Sequence, residues 1–154
     1  MFAFFSNPEN LPRIMPAATH TKIEQLRLVP PTSLLGSVAP SKAAGVGSVI
    51  VTSFRLFPLL PPRMRWIACI TEFEWNDYFA DAQQNGPFKR WHHRHQFLVE
   101  MRNGIAGTLV RDVIEYEVGF GPLGALADSL FIARQLRSTF AQRQKSLPKL
   151  LALS

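Results

Sequence analysis

Apolar and polar residues alternate over much of the stretch from 49 to 118, and a period of two predicts strands. The alternating runs are 49–57, 64–75, 78–84, 88–101 and 107–118, with 21–28 as an additional first strand. Turn-forming residues separate them: Pro58, Pro61 and Pro62, then Asn76-Asp77, Asn85-Gly86-Pro87 and Asn103-Gly104. Asn-Gly is a strong hairpin signal, because both residues tolerate positive φ. Beyond 119–124 the period lengthens. Leu126, Leu130, Ala133, Leu136, Phe140 and Leu147 recur at helical spacing. They predict one helix over 122–147, about 38 Å long at 1.5 Å per residue. Near the start, Asn7 can cap a short helix whose first turn holds Pro8, and Phe2–Phe5 read as the end of an earlier one. Residues 30–45, rich in Pro, Ser, Gly and Ala, predict a flexible connection, a lip over a pocket. Six strands in a meander, two short helices and one long helix make an α+β domain with one sheet face covered.

Composition sharpens this picture. The 154 residues suit one domain spanning 1–154. Hydrophobic residues make up 47%, with twelve Phe and three Trp, enough for a core and for an aromatic-lined pocket. The formal charge of +6 is spread along the chain without a run of basic residues. That favours a solvated basic surface, so nucleic acid is not an expected partner. In 89–95, where basic and aromatic residues mix, strand alternation sends them to opposite faces, whereas single-strand binding needs both on one surface. No apolar stretch reaches the length of a membrane span, so no membrane insertion is expected. A single cysteine, Cys69, allows no disulfide within a monomer and fits a cytoplasmic location.

Strand parity then divides the side chains between two faces. On 88–101 the set Trp91, His93, His95 and Phe97 faces inward, and Arg90, His92, Arg94 and Gln96 face water. On 107–118 Val110, Asp112, Ile114, Tyr116 and Val118 form the inner set. A two-residue Asn103-Gly104 turn places His95 opposite Asp112 and Trp91 opposite Tyr116, unless Gly107 bulges. A two-residue Asn76-Asp77 turn places Glu72 opposite Asp81 and Ile70 opposite Gln83, with Phe79 on the same face. The inner face thus gathers Glu72, Asp81, Gln83, His93, His95, Asp112 and Tyr116 among apolar neighbours. Buried ionisable groups cost several kcal/mol unless paired or used. Two readings stand side by side: an internal network that fixes the sheet, and a set of contacts for a ligand.

Several segments resemble the SRPBCC superfamily, the START-like helix-grip proteins. They are the opening FAFFSNPENL (2–11), GPFKRWHHRHQF (86–97), DVIEY (112–116) and GPLG (121–124). The likeness covers nearly the whole chain, and points to a branch of bacterial proteins described as ligand-binding or cyclase/dehydrase-like. It implies a curved sheet gripping the last helix around a hydrophobic cavity, and no superfamily-wide catalytic motif. Members carry lipids, hormones or polyketides, and a minority are enzymes. The family has a strand before the first helix that this chain lacks. The expectation is an N-terminally truncated chain and an exposed sheet edge through which a homodimer could form.

The expected ligand is therefore a small hydrophobic molecule. The candidate contact residues are Trp66, Glu72, Phe79, Asp81, Gln83, Trp91, His93, His95, Phe97, Asp112, Tyr116, Arg137 and Phe140. Core packing explains the aromatic members equally well. Arg137 falls within the apolar stripe of the last helix; it either reaches an acidic ligand group or Asp112, or snorkels outward. The alternative is a cyclase or dehydratase using His95, Asp112 and Tyr116 as acid–base groups. His93 and His95 have a spacing that can chelate zinc, with Asp112 as third ligand or orienter, but no motif marks a third ligand. Neither a metal nor another cofactor is expected.

Overall fold

The structure is a computed structural model that describes residues 1–32, 42–55 and 63–151. Strands β1 (Lys22–Arg27), β2 (Val49–Phe54), β3 (Met64–Glu74), β4 (Tyr78–Asn85), β5 (Arg90–Arg102) and β6 (Ile105–Glu117) form one curved, unclosed antiparallel sheet. Spatial order equals sequence order, as expected of a meander, so β1 and β6 are the edges among the described strands. Short helices α1 (Phe2–Ser6) and α2 (Leu11–Ile14) precede the sheet. Between them the Asn7 side chain accepts a hydrogen bond from the Glu9 amide at 3.0 Å, with Pro8 in the first turn.

The C-terminal helical run differs from a single continuous helix. α3 (Gly121–Ala127) passes through a π-helical turn, Asp128–Ile132, into α4 (Ala133–Leu151), which continues through Pro148. A π turn holds an extra residue, which offsets the apolar stripe by roughly 100°. Leu126 and Leu130 are accordingly more than half exposed, whereas Leu136, Phe140 and Leu147 remain half-buried.

The β3–β4 connection also differs from expectation. Glu74 pairs with Tyr78, so the loop has three residues, and Asn76 adopts φ 63°. A bulge at Thr71 then shifts the register: Ile70 pairs with Asp81, and Glu72 with Ala80. The extra residue inverts parity along β3. Ala68 and Ile70 face inward before it, and Phe73 after it.

The core lies between the inner face and the N-terminal helices. Phe2, 4% exposed, is its centre. Its ring contacts those of Phe73, Trp75, Phe79 and Phe97 with centroids 4.9–5.9 Å away, edge to face. Of the expected connection over 30–45, residues 33–41 lie outside the described residues. Ala43 and Ala44 at its end are buried, and the Ala44 amide donates to the Ser6 carbonyl at 2.8 Å. Because one residue joins four rings, Phe2→Ala should cost about 3–5 kcal/mol. The urea midpoint checks this; a loss under about 1 kcal/mol would mean that α1 contributes little to the core.

Candidate functional site

The hairpin of β5 and β6 builds the site. Asn103 and Gly104 take φ 51° and 77°, the positive values a two-residue type I′ turn needs. Pairing then runs without interruption from Arg102–Ile105 to Arg90–Glu117, so Gly107 does not bulge. His95 lies opposite Asp112 and Trp91 opposite Tyr116. Trp91, His93, His95 and Phe97 are buried, while the alternate residues of β5 are only half-buried or exposed. On the other side of β5, Asp81 of β4 lies directly opposite His93.

Four of the expected residues thereby meet in one buried cluster. His93 Nε2 hydrogen-bonds Asp112 Oδ1 at 3.1 Å. His93 Nδ1 lies 3.6 Å from Asp81 Oδ1. His95 Nδ1 is 2.6 Å from Asp112 Oδ1, but off the direction a hydrogen bond requires, so this buried nitrogen lacks an aligned partner. The imidazole centroids are 4.0 Å apart, and the Phe140 ring meets His93 edge-on at 5.4 Å. The fifth member, Arg143, is absent from the sequence-based set. It is 7% exposed, lies 4.8 Å from the Phe140 ring centre, and its charge acts on both Asp81 and Asp112. The cation facing Asp112 from within is thus Arg143. Arg137 is exposed at the edge of a groove. The spacing of Leu136, Phe140, Arg143 and Leu147, by four, three and four, marks Arg143 as a residue of the inward face.

Burial dominates the electrostatics. It lowers the His93 pKa to about 4, and the neighbouring His95 lowers it further while Asp112 and Asp81 oppose. Burial likewise lowers His95 against the pull of Asp112. At Asp112 burial favours the neutral acid, but the hydrogen bond to His93, the close contact with His95 and the field of Arg143 outweigh it and hold the carboxyl well below its usual range. Asp81 moves upward because burial exceeds the attraction of its cationic neighbours.

The other expected residues take different places. Trp66 and Trp91 form a second aromatic group with Phe88 and Tyr116, and Phe79 and Phe97 belong to the Phe2 core. Gln83 faces inward, but its amide braces the β4–β5 turn: Nε2 donates to the Phe88 carbonyl at 2.7 Å. A Cβ on Gly86 would lie 2.4 Å from the Gln83 Oε1, so a side chain there would displace the bracing amide. Glu72 is not on the inner face. The three-residue loop pairs it with Ala80, on the face opposite Phe79 and Asp81, where it contacts His92 at 3.1 Å and pairs with Arg94, whose guanidinium covers the Tyr78 ring. Tyr116 is four residues along β6 from Asp112, about 13 Å. Its hydroxyl donates to Asp128 Oδ1 in the π turn at 2.7 Å, and burial together with that bond raises its pKa to about 12. Tyr116 therefore does not adjoin His95 and Asp112, which are in contact with each other.

Two cavities flank the cluster. One of about 80 Å³ lies under α1 and α2 and is bordered by Phe79, Asp81, His95 and Arg143. The other, a groove of about 520 Å³, runs between β6 and α4. Val110, Ile114, Leu136 and Phe140 supply apolar walls, and Asp112, Tyr116 and Arg137 polar ones. Among the described residues no helix is long and apolar enough to cross a membrane.

No protein-family model matches the chain, and no curated protein matches it. Among solved structures, TTHA0849 from Thermus thermophilus is similar with a TM-score of 0.61 at 17% identity. The match covers 99% of this chain and 88% of that chain. At such identity the likeness concerns the fold: an antiparallel sheet with a C-terminal helix.

The depressed His93 pKa fixes a pH dependence. Below 6.5 the unfolded chain takes up a proton that native His93 refuses down to about 4. Stability from this group therefore falls as pH drops through that window, by up to about 1.4 kcal/mol per pH unit. His95 acts in the same sense, and Asp81, raised, in the opposite one. Urea midpoints at about pH 7 and about pH 4.5 should differ less in His93→Gln than in the parent protein. Equal differences would show that His93 titrates like a solvated imidazole.

Proposed function

We propose that the protein binds a small, largely apolar molecule carrying one polar end in the groove between β6 and α4. The observation that carries this reading is the groove itself. Its volume of about 520 Å³ falls within the range of roughly 300–1,000 Å³ typical of ligand sites. Its apolar walls match a hydrocarbon or aromatic body, and Tyr116 and Arg137 at one part of the wall match a hydroxyl or carboxylate. The resemblance to SRPBCC helix-grip proteins supports the same reading, since carriage in a cavity between sheet and last helix is what that family implies.

Native mass spectrometry of the purified protein should detect a bound lipid or aromatic molecule. In solution, a naphthoate should quench tryptophan fluorescence, and Leu136→Trp, which fills the groove, should weaken its binding at least tenfold. Arg137→Gln should weaken the naphthoate and leave an uncharged naphthalene unaffected. Unchanged naphthoate affinity in Leu136→Trp would remove the groove as the site.

The contact between His95 and Asp112 supports a second reading, in which the pair supplies a general base to a bound substrate of the same class. The two readings separate on His95→Ala. Intact affinity with lost turnover of a candidate polyketide-like substrate selects the enzyme, and no turnover in the parent protein selects the carrier.

A further inference from the structure

The cluster beneath the smaller cavity holds chemistry that apolar binding in the groove does not use. We propose that Asp81, His93 and His95 supply a carboxylate oxygen and two imidazole nitrogens to one divalent first-row transition-metal ion, with Asp112 behind the imidazoles as their orienting carboxylate. One ligand atom from each of the three residues lies within 4.8 Å of the other two. The three side chains come from adjacent strands at fixed register, Asp81 opposite His93 and His95 two residues further on. A rigid sheet therefore presets the site.

The distances fit an ion better than they fit a closed network. With His93 Nε2 engaged by Asp112, Nδ1 faces Asp81 Oδ1 across 3.6 Å. That is too long for a hydrogen bond. Two ligand atoms each about 2 Å from a tetrahedral zinc ion stand roughly 3.3 Å apart. Two carboxylates, Asp81 and Asp112, face a single guanidinium, Arg143, which leaves room for positive charge.

The donor set selects the ion. Two imidazoles and one carboxylate suit zinc, cobalt or iron rather than magnesium or calcium, which prefer all-oxygen shells. Three protein ligands leave coordination positions open. The adjacent cavity of about 80 Å³, bordered by Asp81, His95 and Arg143, holds space for one or two waters or for a small anion facing the guanidinium. Asp112 would fix the orientation of the rings, the role carboxylates have behind ligating histidines.

The probe is the metal alone. Chelator-treated protein is titrated with Zn²⁺ by calorimetry and with Co²⁺ by visible absorption. The expected result is one ion per chain with micromolar or tighter affinity, and no competition from Mg²⁺. His93→Ala and His95→Ala should each lose at least a hundredfold in affinity, and Asp112→Asn ten- to a hundredfold. His20→Ala, at an exposed histidine outside the cluster, should change nothing. Absence of stoichiometric binding at micromolar metal, or affinity indifferent to His93 and His95, overturns the site. If the alanine variants do not fold, proton NMR of the Co²⁺-loaded parent protein decides: hyperfine-shifted signals from two imidazoles support the assignment, and their absence overturns it. Naphthoate binding to the metal-free protein tests the groove separately, so the two readings fail independently.

Discussion

The uninterrupted pairing of β5 with β6 is the constraint on which the rest of the site depends. Thirteen successive pairs run from the Asn103-Gly104 turn to Arg90 and Glu117 without a bulge. Strand parity makes such a ladder all-or-none, since with β5 held by β4 a slip of one residue would turn Asp112 toward water, away from His93 and His95, and bring Arg111 inward. Two residues at positive φ in the turn thus determine which ionisable groups lie within the protein. Asp81 joins them because β4 pairs with β5 in register with His93.

The inner face has three zones, and their order explains how so much polarity is tolerated. The Phe2 core fills one end, and the group of Trp66, Phe88, Trp91 and Tyr116 fills the other. Between them lie Asp81, His93, His95 and Asp112, with Arg143 entering from the helix. An isolated charge there would cost many kcal/mol. The zone avoids that cost through neutral imidazoles and a carboxylate held by two of them. Both histidines also touch aromatic rings, Phe79 and Phe5 for His95 and Trp91 and Phe140 for His93, which help to bury the imidazoles.

Legibility in the sequence followed the locality of the cause. The β5–β6 register could be read because a two-residue Asn-Gly turn fixes it, and everything outward from the turn is counting. Glu72 was misplaced because the loop after β3 holds three residues rather than two, and that single extra residue shifts the count. Asp81 kept its inward position because inward Phe79 is two residues away on a strand whose parity there is undisturbed. Arg143 was visible as a helical phase but concealed by its charge: an arginine on an apolar stripe reads as snorkelling until opposing carboxylates are placed. Arg137 illustrates the converse, a residue on the predicted stripe that the offset of the π turn leaves exposed.

Asp112 belongs to both halves of the arrangement. One of its faces borders the groove between β6 and α4, and its Oδ1 meets both imidazoles of the cluster. Any polar group entering the groove near Asp112 competes for the same carboxylate that orients His93 and His95. Phe140 repeats this sharing in apolar form, since it lines the groove, packs edge-on against His93 and lies beneath the Arg143 guanidinium. The wall between groove and cluster is therefore one side chain thick. Such a wall transmits a displacement of Asp112 or Phe140 directly, because packed rings and a shared carboxylate have few alternative positions. An occupant of the groove and the chemistry of the histidines are thus coupled through two residues rather than through the fold as a whole.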